Sequence, residues 1–213
     1  METKWKEQLE QHRNQRREDI KEVAKRLFIE RGLTSVTLKD VVEACGISKV
    51  TLYKYFRSLE EIIFEVEIDI LSAWVIRMEQ TTLQGKNGYE KLQFLLEETV
   101  RGSLDNADTI KFIAMFDMLY QENYPTPELE SRYRTFLRSV PHPFLMLLQE
   151  GVEDGSIRKD IDVKVLGYTL SNVVNATEQR MTLRGKLLHL DQTIDPAIVL
   201  DQMVHMILAY VKA

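Results

Sequence analysis

Apolar residues recur at three- and four-residue intervals along nearly the whole chain, and strand-like alternation never persists. This spacing is that of amphipathic helices, each with one buried stripe. With only 9 Gly and 5 Pro in 213 residues, few positions interrupt it. The spacing therefore predicts an all-α chain: three short helices, then five or six longer ones.

Local signals set the expected ends. Ile20, Val23, Ala24, Leu27 and Phe28 form one stripe of a helix over roughly 18–31, which Gly32 is placed to end. Thr37 and Asp40 have capping-box spacing at the start of a second helix, with Leu38, Val41, Val42 and Cys45 on its apolar face. Gly46 closes that helix, and Ser48 opens a third whose Leu52 and Phe56 point inward. Ser58 and Glu61 form another capping box before a fourth, longer helix. Later helices are expected near 88–104, 108–122, 127–154, 162–184 and 195–211. The 127–154 segment must bend or break at Pro141 and Pro143.

Charge divides the chain. Residues 1–57 carry 13 Lys and Arg against 9 Asp and Glu, a net +4; the remainder carries 15 against 24, a net −9. A basic head on an acidic body directs a polyanion to the head. No apolar run approaches the ~18 residues of a membrane span, and the polar N-terminus is not a secretory signal. A cytoplasmic protein with no membrane partner is expected. One cysteine excludes an internal disulfide, and a buried structural thiol is expected at Cys45. The four histidines lack metal-ligand spacing; His142, between two prolines, reads as a loop or cap residue. No nucleophile elbow, phosphate loop or His-Glu-x-x-His motif is present, so the expectation is a non-enzyme with no catalytic residues, cofactor or metal.

The stretch GISKVTLYKYFRSLEEI, residues 46–62, concentrates the functional signal. Two capped helices joined by Gly46-Ile47-Ser48 make a helix-turn-helix unit. Its second helix presents Lys49, Val50, Thr51, Tyr53, Lys54 and Tyr55 outward. Lys49, Val50 and Thr51 lie near the tip, where base edges in a major groove are reachable. Tyr53, Lys54, Tyr55 and Arg57 are placed for phosphate oxygens. Thr37, at a helix N-terminus, can join them. The alternative is a solvated basic hairpin with half-packed tyrosines.

Residues 18–63 resemble the DNA-binding head of the TetR family of bacterial transcriptional regulators. Gly46, Ile47, Ser48, Thr51, Leu52, Tyr53, Tyr55, Phe56, Ser58, Glu60 and Glu61 fit its pattern. Val50 departs from it, standing where a small residue or proline is usual. So does Leu59, where the family has a phosphate-contacting lysine; Arg57 or the arm residues Arg13, Arg16 and Arg17 are candidates to compensate. The resemblance implies a DNA-binding domain over 1–57 and an effector-binding and dimerisation domain over 58–213. It implies a homodimer through the helices near 162–184 and 195–211, bound to a palindromic double-stranded operator. The expected function is a transcriptional regulator, a repressor released by a small apolar or cationic effector. Candidate pocket residues are Trp74, Phe94, Phe112, Met115, Phe116, Tyr120, Phe144, Asn172, Asn175 and Glu178, for which core, surface or interface positions are the alternative. Two other classes stay open: a helical enzyme, and a scaffold whose head binds protein rather than DNA.

Overall fold

The computed structural model describes residues 2–213; Met1, the first residue of the expected head, lies outside them. Among the described residues ten helices follow one another: α1 (Glu2–Arg31), α2 (Leu38–Cys45), α3 (Lys49–Leu52), α4 (Leu59–Thr82), α5 (Gly88–Asp105), α6 (Ala107–Leu119), α7 (Pro127–Ser139), α8 (Pro143–Asp154), α9 (Val163–Gln192) and α10 (Pro196–Val211). The only extended pairing among them is an isolated antiparallel bridge between Ile157 and Lys212.

The expected break in 127–154 occurs. Ser139 ends α7, and His142 caps α8 with Nδ1 accepting from the Leu145 N–H at 3.3 Å, just before Pro143. Burial lowers the His142 pKa. Helix α1 extends N-terminal of Glu18 and starts at Glu2. One boundary differs from expectation. Helix α9 passes the expected end at 184 and reaches Gln192. Gly185 does not stop it, because Leu188 beyond is buried and Gly185 serves a close approach: a Cβ there would meet the Pro196 ring at 3.0 Å.

The chain divides into two compact units, the divisions falling within α4, α6 and α7. Residues 2–70 and 112–137 form the first; residues 71–111 and 138–213 form the second. The first is larger than the expected head, since it includes half of α4 and most of α6 and α7. Its core holds Ile20, Ala24, Phe28, Val41, Leu52, Phe56, Ile62 and Phe64, joined by Phe112 and Phe116 of α6. Phe28 packs on Phe112 with ring centroids 6.1 Å apart. Burying side chains of this size is the main stabilising contribution to the unit, about 1.5–3 kcal/mol each.

The second unit packs α5 against α8, α9 and α10. Leu92, Leu95, Leu96, Phe144, Leu148, Leu170, Val174 and Leu200 fill its core, with Trp74 packed on them. Helices α5 and α8 touch at two glycines: a Cβ on Gly88 would lie 2.2 Å from the Gly151 nitrogen. The Asp154 carboxylate accepts from the Gly88 N–H at 2.7 Å and helps fix the crossing.

Candidate nucleic-acid interface

Capping explains why α2 and α3 form where they do. Thr37 is extended (φ −115°, ψ 162°) and accepts from the Asp40 N–H, while the Asp40 carboxylate accepts from the Thr37 N–H at 2.8 Å. Two otherwise unpaired helix donors are thus satisfied. Hydrogen bonds from the Thr37 hydroxyl and N–H, with Arg31 nearby, hold the Asp40 carboxyl below its ordinary value. At the other end Gly46 takes a left-handed conformation, φ 63°, and its N–H and that of Ile47 bond back to Glu43 and Val42. Only glycine adopts that φ without strain. Ser48 then caps α3, accepting from the Thr51 N–H at 3.0 Å.

Helix α3 is shorter than the sequence suggests. Regular helix ends at Leu52, and the chain tightens as Lys54 and Tyr55 N–H groups bond three residues back. Phe56 still bonds to the Leu52 carbonyl at 3.0 Å and is buried, so the expected inward pair Leu52 and Phe56 is kept. Lys49 and Val50 project at the tip, Val50 being 71% exposed. The Thr51 hydroxyl lies 2.8 Å from the Ser48 hydroxyl, which leaves its methyl as the group available for apolar contact. Tyr53 and Lys54 are exposed and Tyr55 is half-buried; the Lys49 ammonium lies 5.8 Å from the Tyr53 ring centroid. Thr37 is exposed with its hydroxyl engaged by Asp40.

The cations expected to grip phosphate are not equally available. Arg57 pairs with Glu128 at 3.1 Å, but both side chains are mostly exposed and such pairs are weak. Phosphate can compete for it. Arg13 and Arg16 are exposed on α1. Arg17, expected among the compensating arm residues, is instead turned inward. It bonds Glu65 at 2.8 Å, donates to the Tyr55 carbonyl, and lies over the Phe56 ring. Buried Phe56 and Glu65 offer Arg17 more than solvent does. Sequence reasoning missed this because its partners lie 38–48 residues away. Leu59 is half-buried at the first turn of α4. The second capping box is half realised: the Ser58 hydroxyl accepts from the Glu61 N–H, whereas the Glu61 carboxylate takes the Arg57 N–H at 2.6 Å.

The candidate pocket residues fall in both units. In the first, Phe112 and Phe116 are buried and Met115 and Tyr120 half-buried. In the second, Phe144 is buried core, while Trp74 and Phe94 are half-buried. Asn172 and Asn175 face solvent on α9, and the Asn172 amide donates to the Tyr168 carbonyl at 2.8 Å. They line no interior; their α9 face also exposes Val165, Tyr168 and Val173. Glu178 is buried with Oε1 unpartnered, and burial pushes its pKa up to about 7 against a bond from Ser103. Sequence reasoning overlooked Glu67, an equally buried carboxylate in the first unit. Its signal was present: in IIFEVEIDIL it follows Phe64 by three residues, on the same helix face. Cys45 is half-buried rather than buried, and desolvation raises its pKa, leaving little thiolate for redox chemistry.

The capped pair with an exposed basic tip is a DNA-binding helix-turn-helix head in an all-helical regulator. Residues 20–66 match the model of the bacterial regulatory proteins, tetR family. The transcriptional repressor KstR2 of Mycolicibacterium smegmatis is 27% identical over 161 residues, covering 71% of this chain and 72% of its own. The regulator YfiR of Bacillus subtilis is 28% identical over 151 residues, 70% of this chain and 71% of its own. Bacillus subtilis FadR, solved in complex with stearoyl-CoA, shares the fold with a TM-score of 0.69 at 18% identity, over 91% of this chain and 98% of its own. The head thus matches the TetR family, and the chain as a whole is similar to transcriptional regulators of that kind. No single helix among the described residues is long and apolar enough to cross a membrane.

Proposed function

We propose that this protein is a homodimeric repressor that occupies a palindromic operator and leaves it when a small molecule binds its helical body. The observation that carries this reading is the α2–Gly46–α3 turn, capped at both helix starts, with Lys49 and Val50 free at its tip. Lys49 donates to guanine and the Val50 and Thr51 methyls pack on thymine, while Tyr53, Lys54, Tyr55, Arg57 and the N-terminus at Thr37 hold phosphates. The head so defined is residues 1–57, and the rest is the effector and dimer domain.

Dimerisation is supported by the apolar side chains that α9 and α10 leave exposed, among them Leu183, Leu187, Ile198, Met206 and Tyr210. Water contact at so many large apolar residues is unfavourable, and a two-fold partner covers them. Two heads then read half-sites ~34–36 Å apart. Such a protein works in the cytoplasm, where the DNA is. A small-molecule effector is supported by the stearoyl-CoA held by FadR, whose fold is similar. The effector releases DNA only through different affinities for the bound and free forms.

Selection of random duplexes by the full-length protein at near-physiological salt tests this reading. The expected outcome is an enriched palindrome that is lost or altered with Lys49→Ala. Salt-insensitive binding, or no enrichment, would end it.

A further inference from the structure

One face of the first unit gathers rings and carboxylates. Glu60, Phe64 and Glu67 lie at i, i+4 and i+7 on α4; Phe116 and Asp117 come from α6, Tyr120 follows its last residue, and Tyr133 comes from α7. The Phe64 ring has Phe116, Tyr120, Tyr124 and Tyr133 around it, at centroid distances of 5.1, 5.0, 5.7 and 5.5 Å. Glu67 is 2% exposed, hydrogen-bonded to the Tyr133 hydroxyl, and its Oε2 has no partner. Asp117 adds a second negative field to Glu67, and Glu60 acts on the Tyr120 hydroxyl. Neighbouring cations are engaged with other acids: Arg17 and Arg132 with Glu61 and Glu65, Lys21 with Glu18 and Asp69, Arg134 with Glu130. Arg134 also lies 5.7 Å from the Tyr124 ring centroid, so a cation already sits against the outer edge of the cluster.

We propose that the face around Glu67 binds a primary ammonium group carried on a small apolar body, entering past the half-exposed rings of Tyr120 and Tyr124. A buried acceptor without a partner is unfavourable, and an N–H donor satisfies it. A charged donor also meets the two carboxylates, and the ring faces attract its charge. The apolar body takes the contacts that Phe64 and Phe116 offer. This assigns an effector class to the proposed repressor and rests on that reading for its effect on DNA. The route is short: Tyr133 adjoins Arg132, which shares Glu65 with Arg17, the residue holding the Tyr55 carbonyl behind the reading turn.

The test is calorimetric titration of the full-length protein with benzylammonium, benzyltrimethylammonium and benzyl alcohol. Benzylammonium is expected to bind about tenfold tighter than the other two, because only it brings charged N–H donors. Glu67→Gln should remove that advantage, and Tyr124→Leu should weaken all three. Affinity for benzylammonium should rise with pH between about 6 and 8, as the proton leaves Glu67. Equal binding of benzyl alcohol, an unchanged advantage in Glu67→Gln, or a flat pH profile would each overturn the proposal. The duplex selection is run in parallel. DNA bound without benzylammonium binding ends this inference alone; benzylammonium bound without DNA ends the repressor reading alone.

Discussion

The guanidinium carbon of Arg17 lies 4.2 Å from the centre of the Phe56 ring. Its nitrogens reach the Tyr55 carbonyl and the carboxylates of Glu61 and Glu65. One side chain of α1 therefore anchors the segment that follows α3. Arg17→Ala should cost about 1–2 kcal/mol of stability, combining a partly exposed cation–π contact with lost hydrogen bonds. DNA affinity should fall by a similar factor on all sequences. Urea unfolding and fluorescence anisotropy on two unrelated duplexes check this; a change in base preference would contradict a bracing role.

Base reading and phosphate contact should separate by mutation. Lys54→Ala and Tyr55→Ala are expected to weaken binding alike on matched and mismatched duplexes, Lys54→Ala also lowering the salt slope by about one unit. Lys49→Ala and Thr51→Ala should relax preference at individual base pairs, by about 1–3 kcal/mol at a bidentate contact. Thr51→Ala also loses its hydroxyl contact with Ser48, so its helical content should be compared with that of Thr51→Ser. Competition binding against single-base variants of the selected site gives the answer.

What was legible in the sequence followed range along the chain. Thr37, Gly46 and Ser48 act on neighbours within a few residues, so their letters announce their roles. Arg17 could not be read this way, because its pull towards Glu65 depends on how α1 crosses α4. The exposure of two pocket candidates was hidden for a different reason. Asn172 and Asn175 interrupt an apolar stretch, but that stretch is itself exposed on α9. Periodicity finds an apolar face without saying whether the chain's own core or another surface covers it.

Gly88→Ala should disrupt the second unit. The added methyl would have to occupy space held by the Gly151 backbone, which cannot swing aside as a side chain can. Overpacking of this kind costs about 1–3 kcal/mol or more. Gly102→Ala is the control: its Cβ would meet only the Arg77 guanidinium, at 3.5 Å, and replacing a glycine in the last turn of α5 favours the helix. Thermal unfolding should show a lower midpoint for the first variant and an equal or higher one for the second.

Stability should depend on the charge state of Glu67. Burial, reinforced by Asp117 and opposed by the Tyr133 hydrogen bond, raises its pKa from the ordinary 4.5 to about 8. The folded state therefore holds this proton more tightly than the unfolded chain does. Its contribution is complete below about pH 4.5 and is lost as pH rises through about 8. Glu67→Gln should remove that loss, so its stability relative to wild type should improve between pH 5 and 8.5 by on the order of 3 kcal/mol. Urea midpoints of the two proteins at both pH values give the difference, in which the other titrating groups cancel. A constant difference would place the proton elsewhere.

The single turn of α3 has a consequence for how this head can change. One helical turn cannot sustain itself in water. Its shape is imposed by the Ser48 cap, by Leu52 and Phe56 beneath, and by Arg17 behind. Lys49 and Val50 contribute almost nothing to that framework. On the proposed reading, replacing them should alter what is recognised without endangering the fold, so new targets are open to this head through one or two surface substitutions, with no loss of stability to repair along the way.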